Sequence, residues 1–255
     1  MITIIFGPPR IGKTALMVKL LTDVAFDRER NRTMQSIIEA KNAFEGYKLT
    51  VPEHCVASNF EIVFKKYGHR SRNSRVIDPN RLGFSNDKVK PHFMLPYETY
   101  GIMEAQQYYN SRNFTNFPEW KSNLFEQHGH NHLDFLLDTQ RPGLIDVNIR
   151  DLSKFIEVRS LQISYDRQGW FKCMTWTVRE FDNVGLVDEY MKSGKRDNQL
   201  YVECRIQSDR YIFNQYNSTA LEPRYYEGHE NEDFDLYYSM QYLSDAQKAL
   251  EAKAC

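Results

Sequence analysis

The chain opens "MITIIFGPPRIGKTALMVKLL" (Met1–Leu21), and the reading of this stretch decides the fold. Ile2–Phe6 is a short run dominated by β-branched residues, the kind that suits a strand buried on both faces of a parallel sheet. Gly7-Pro8-Pro9-Arg10-Ile11-Gly12-Lys13-Thr14 fits G-x-x-x-x-G-K-[ST], and "ALMVKLLTDVAF" from Ala15 onward carries apolar residues at helical spacing. Strand, loop and helix in this order are the context the motif requires. The glycines let the backbone turn so that its N–H groups surround phosphates. The helix then points its positive end at them. Lys13 reaches the β and γ phosphates, and the Thr14 hydroxyl is the candidate Mg²⁺ ligand. Gly7 to Ala15 is therefore the expected phosphate-binding segment. Pro8 and Pro9 stiffen it and remove two N–H donors, leaving the other amides for the ligand.

The rest of the chain agrees with an α/β plan. "RTMQSIIEAKNAF" continues helical until Gly46. "HCVASNF" (54–60), "TYGIM" (99–103), "LDFLLDTQ" (133–140) and the end of "VNIRDLSKFIEVRSLQI" are further strand candidates. "WFKCMTWTVREF" and "LYVECRIQSDRYIFNQY" have β character, and "YLSDAQKALEAKA" is helical by propensity. Strands alternating with helices predict a mostly parallel sheet flanked by helices, with extra β structure toward the C-terminus. The segment "KKYGHRSRNSRVIDPNRLGFSNDK" is polar and turn-rich and reads as an excursion.

Composition narrows the function classes. With 255 residues and 41% hydrophobic content there is material for one sizeable core. A net charge of −1 gives no global basic field, so any nucleic-acid contact has to be local. Cys55, Cys173, Cys204 and Cys255 match neither a zinc nor a disulfide spacing, so free thiols are expected, with Cys55 and Cys173 as small core residues. No signal-peptide pattern and no apolar run of about 18 residues is present.

A phosphate loop needs partners at the ends of other strands: an acidic group for the metal, and a group that orients or deprotonates water. "TYGIMEAQ" supplies Glu104 directly after an apolar run. Here the chain resembles the zonula occludens toxin (Zot) family, which includes the filamentous-phage assembly ATPases. "GIMEAQQYYNSR" is similar to the family's hhhhDEAQ segment with its downstream arginine. "HGHNHLDFLLDTQRPGLIDVNIRDL" is similar to its histidine-bearing approach, apolar strand and Thr-Gln, and "YIFNQYNSTAL" to its aromatic Tyr-x-Ser stretch. In the family's order these cover about residues 1–222; 223–255 would be a helical extension.

The resemblance implies a RecA-like P-loop ATPase domain with ATP and Mg²⁺ as cofactors. It makes Glu104 the candidate base and Gln140 the candidate γ-phosphate sensor, and their places at the carboxyl ends of apolar strands agree. It implies phage assembly and export, or DNA packaging and translocation, as the work done. The implied setting is a homo-oligomer in the host cytoplasm, peripheral to the inner membrane, with phage structural or membrane assembly proteins as partners. The family's Walker B aspartate falls on Met103, and a thioether does not bind a hard cation. Asp138, two residues before Gln140 and on the same strand face, is either a stand-in acting through water or a polar residue at a strand end. A non-hydrolysing, nucleotide-gated scaffold is the alternative that Met103 opens.

Other groupings stay open. His128, His130 and His132 would share a face on a strand, as a metal site or as an ordinary polar approach. Lys65, Lys66, Arg70, Arg72 and Arg75 surround Tyr67 as a nucleic-acid contact or as a solvated loop. Arg112, Arg141 and Arg150 are equal candidates for an arginine finger.

Overall fold

The computed structural model describes residues 1–44, 51–82, 94–112, 119–130, 132–194, 197–208, 211–212 and 215–216. The first strand, β1 (Ile2–Phe6), is buried along its whole length. After the Gly7–Gly12 loop come α1 (Lys13–Ala25) and α2 (Arg28–Phe44). Four short strands follow: β2 (Val56–Ser58), β3 (Val63–Phe64), β4 (Arg72–Asn73) and β5 (Arg75–Val76). The remaining elements are β6 (Thr99–Ile102), α3 (Glu119–Glu126), β7 (Asp134–Thr139), α4 (Val147–Asp151), β8 (Ser153–Tyr165), β9 (Phe171–Phe181), α5 (Val184–Lys192) and β10 (Val202–Gln207). The eight-stranded sheet has the order β10-β9-β8-β1-β7-β6-β2-β5, and β3 pairs with β4 alone. From β8 across to β5 every pairing is parallel, while β9 and β10 are antiparallel.

The sheet separates two apolar layers. Ile2, Ile4, Phe6, Tyr100, Ile102, Phe135, Leu137 and Phe155 face one cluster, which takes in Leu124 and Phe125 from α3, Ile149 from α4 and Tyr190 from α5. Ile5, Leu136, Met103 and Val158 face the other, filled by Leu16, Met17, Val18 and Leu21 of α1. Period-2 alternation along β1, β6 and β7 assigns the faces, and two-sided burial explains why these strands carry few polar residues. Gly101 in β6 lets Leu21 approach the sheet closely.

The polar excursion after Phe60 holds β3, β4 and β5, and two of its basic residues are structural. Arg75 forms a buried ion pair with Glu98, whose carboxylate also accepts hydrogen bonds from the Tyr100 hydroxyl and from Leu95 N. Arg72 pairs with Glu53 and lies over the Phe26 ring. The histidines do not share a strand face. They sit in the turn after α3, where His128 contacts the Phe125 carbonyl and His132 stacks on Tyr97. Of the aromatic stretch before residue 217, Gln215 is buried against α1 and accepts from the Thr22 hydroxyl at 2.6 Å. Cys55 and Cys173 are buried free thiols. The helical segment expected within 223–255 lies outside the described residues.

Candidate active site at the carboxyl edge of the sheet

The loop leaves the carboxyl end of β1 and enters α1 through Gly12, which holds φ 85°. A Cβ there would meet Leu161 Cδ2 at 2.8 Å and Trp176 Nε1 at 3.0 Å, so glycine is required by both space and conformation. Arg10, at φ 63°, also takes the left-handed conformation, uncommon for a side chain of its size. No side chain caps the helix, so the first-turn N–H groups remain available to an anion. Lys13 is buried, and its Nζ donates to the Pro8 carbonyl at 3.2 Å, which holds it over the loop. Pro8, Pro9 and Arg10 are exposed. Two long-range contacts that the sequence could not show hold the loop and the end of β6 in place. The Trp176 indole N–H donates to the Gly12 carbonyl at 3.0 Å, and Asn59 clamps the backbone of residue 103.

β1 lies between β8 and β7, and on the β7 side β6 lies one position further out. The carboxylate at the end of β7 is therefore the nearer one. Asp138 pairs in register with Ile5, on the face covered by α1. Thr14 Oγ1 donates to Asp138 Oδ2 at 3.0 Å. Asp138 is 1% exposed, and its Oδ1 has no hydrogen-bond partner among the described residues. Burial raises its carboxyl to about 6, against the opposing pull of Lys13 and the Thr14 hydrogen bond, with Glu104 adding to the rise. These interactions bring Lys13, Thr14, Asp138 and Glu104 into one electrostatic neighbourhood.

Met103 is 2% exposed and packs into the apolar layer under α1. Its N–H donates to Asn59 Oδ1 at 2.8 Å, and its carbonyl accepts from Asn59 Nδ2 at 3.1 Å. Glu104 follows in the left-handed conformation, φ 48° and ψ 46°, opening a single 3-10 turn. That backbone choice turns the half-buried side chain out of the strand direction, where it accepts from Gln106 Nε2. Left-handed glutamates are costly and concentrate where function fixes them. Gln140 comes immediately after β7 and is exposed. Arg112 and Arg141 are exposed and Arg150 is half-buried on α4. Among the described residues no His, Cys, Asp and Glu grouping forms a separate metal site. No helix among the described residues is long and apolar enough to cross a membrane.

A loop of this sequence between β1 and α1, with one strand inserted between β1 and the strand that carries Glu104, defines the class: a RecA-like P-loop α/β fold, mostly parallel, with antiparallel strands at its C-terminal end. Solved structures with a related chain trace include two proteins. The N-terminal domain of zonular occludens toxin from Neisseria meningitidis is 20% identical, with 85% of this chain and 98% of that chain covered and a TM-score of 0.48. The genome packaging NTPase B204 from Sulfolobus turreted icosahedral virus 2, in complex with ATP-gammaS, is 9% identical, with 71% and 91% covered and a TM-score of 0.36. No family model and no curated protein matches the chain.

Proposed function

We propose that this chain is a Mg·ATP-binding domain that hydrolyses ATP and serves as the motor of a phage assembly, export or genome-packaging machine. The observation that carries the nucleotide reading is the Gly7–Thr14 loop itself. It is seated between β1 and an uncapped α1, with buried Lys13 held over it and Glu104 presented at the end of β6. The phage setting rests on the sequence resemblance over about residues 1–222. Homo-oligomerisation, DNA and phage partners and a place beside the host membrane belong to the same reading.

The loop amides and Lys13 bind the phosphates. Thr14 would supply an oxygen to a metal ion bound with the nucleotide. A bound Mg²⁺ would neutralise charge on the β and γ phosphates. The donor set fits such an ion, because the Thr14 hydroxyl sits against the Asp138 carboxylate, whose other oxygen has no hydrogen-bond partner among the described residues. Glu104 accepts a proton from the attacking water, and Gln140, on the loop after β7, contacts the γ-phosphate. A nucleotide-gated scaffold is the second reading, favoured by the apolar burial of Met103 where the family pattern has an acid.

Two variants test the proposal. Lys13→Ala is expected to abolish the thermal stabilisation produced by Mg·ATP, and an unchanged shift would overturn the loop assignment. Glu104→Gln is expected to retain ATP affinity while single-turnover hydrolysis falls by about 10²-fold or more. Equal rates would remove Glu104 from the mechanism, and a wild type without turnover would favour the scaffold.

A further inference from the structure

The register of the sheet explains how a site can work with methionine at position 103. Ile5 of β1 is paired with Asp138 of β7. The β6–β7 register runs to Ile102 opposite Leu137. One more residue sets Met103 in the same row as Asp138. Ile5, Leu136 and Met103 all belong to the layer under α1, so this row faces the P-loop helix. Asp138 thus stands one strand nearer the loop than residue 103.

We propose that Asp138 is the carboxylate that positions the divalent cation bound with the nucleotide, a task that has moved from the end of β6 to the end of β7. The inference rests on reading Gly7–Thr14 as a phosphate loop. Three features carry it. First, the single hydroxyl proton of Thr14 is donated to Asp138 Oδ2 at 3.0 Å. That leaves the hydroxyl lone pairs for a cation and fixes their direction. Second, Asp138 Oδ1 is buried and has no hydrogen-bond partner among the described residues. A buried carboxylate oxygen without a partner is costly, and a cation or a cation-bound water would satisfy it. Third, orienting Thr14 needs only a neutral acceptor. An asparagine would serve without the cost of burying charge, so the carboxylate points to a cation. Lys13 offsets part of that charge, yet its ammonium donates to the Pro8 carbonyl.

The test reads metal binding directly. Mn²⁺ is titrated into protein with saturating ADP, and free Mn²⁺ is followed by electron paramagnetic resonance. ADP affinity is measured separately in EDTA. Asp138→Asn keeps the Thr14 acceptor and the side-chain volume, and is expected to weaken Mn²⁺ binding by about 10- to 100-fold. ADP affinity in EDTA is expected to be retained or to rise, because a negative charge beside Lys13 is removed, and it also reports a folded loop. Asp138→Ser gives the same comparison if the asparagine variant does not fold. Met103→Leu is expected to bind Mn²⁺ as the wild type does. Wild-type Mn²⁺ affinity in the Asp138 variants, with ADP binding intact, would overturn the assignment of Asp138 while leaving the phosphate loop standing. A wild type that binds no ADP in either condition would overturn the loop reading and this inference with it.

Discussion

Gly101 offers a quantitative test of how the P-loop helix is seated. A Cβ at this position would lie 2.4 Å from Leu21 Cδ1, whereas carbons at rest sit about 3.5–4.0 Å apart. Leu21 is 0% exposed, so its methyl has no solvent to swing into. Gly101→Ala must therefore force a poor leucine rotamer or push α1 off the sheet, which costs about 1–3 kcal/mol. About 0.5–1 kcal/mol of this is offset because alanine loses less chain entropy in a strand. The net expectation is a loss of about 0–2.5 kcal/mol. Leu21→Ala alone should cost about 2–5 kcal/mol through the cavity it leaves. In the double variant the new methyl enters that cavity, so the two losses should not add, and a favourable coupling of about 1–2 kcal/mol is expected. Urea denaturation of the four proteins followed by circular dichroism measures it. Because α1 carries Lys13 and Thr14 while β6 leads into Glu104, Gly101→Ala should also slow hydrolysis more than it weakens ATP binding. Additivity within about 0.3–0.5 kcal/mol would refute the close packing of Leu21 on Gly101.

Two further outcomes follow from buried ionisable groups. His54 accepts from Val56 N at Nδ1 and contacts the Asn73 carbonyl through Nε2, and burial lowers its pKa below the ordinary 6.5. The unfolded chain therefore binds this proton more tightly: the stability His54 contributes is present above about pH 6.5 and lost as pH falls below it. His54→Gln should remove that part of the slope in urea midpoints, and parallel slopes in the two proteins would exclude His54 as the source. Arg75→Met, which leaves Glu98 buried without its guanidinium, should cost about 3–5 kcal/mol in urea denaturation, and adding Glu98→Leu should recover most of it; a double variant as unstable as the single one would contradict that account.

The β1–loop–α1 unit was legible in the sequence because all of its information is contiguous. Residue types, spacing and the switch from a strand run to a helical pattern lie within Met1–Leu21, and the strands that became β6, β7 and β8 could be read from their apolar runs. Glu104 and Gln140 follow the ends of β6 and β7, positions that the same apolar runs make legible. Which strand neighbours which is not a local property. The insertion of β7 between β1 and β6, and with it the contact of Thr14 with Asp138 across 124 positions, is decided by sheet register. The indole of Trp176 reaches Gly12 across 164 positions only because β8 and β9 fold back beside the loop. The histidine alternation suggested one strand face, yet a turn after α3 disperses it, since period-2 spacing aligns side chains only when the backbone is extended. Sequence alone determined that a G-x-x-x-x-G-K-[ST] loop lies between the first strand and the first helix. Tertiary structure decided which carboxylate meets it, because a side chain's distance from the loop depends on the order in which parallel strands hydrogen-bond, and that order is set by the packing of both faces of the whole sheet.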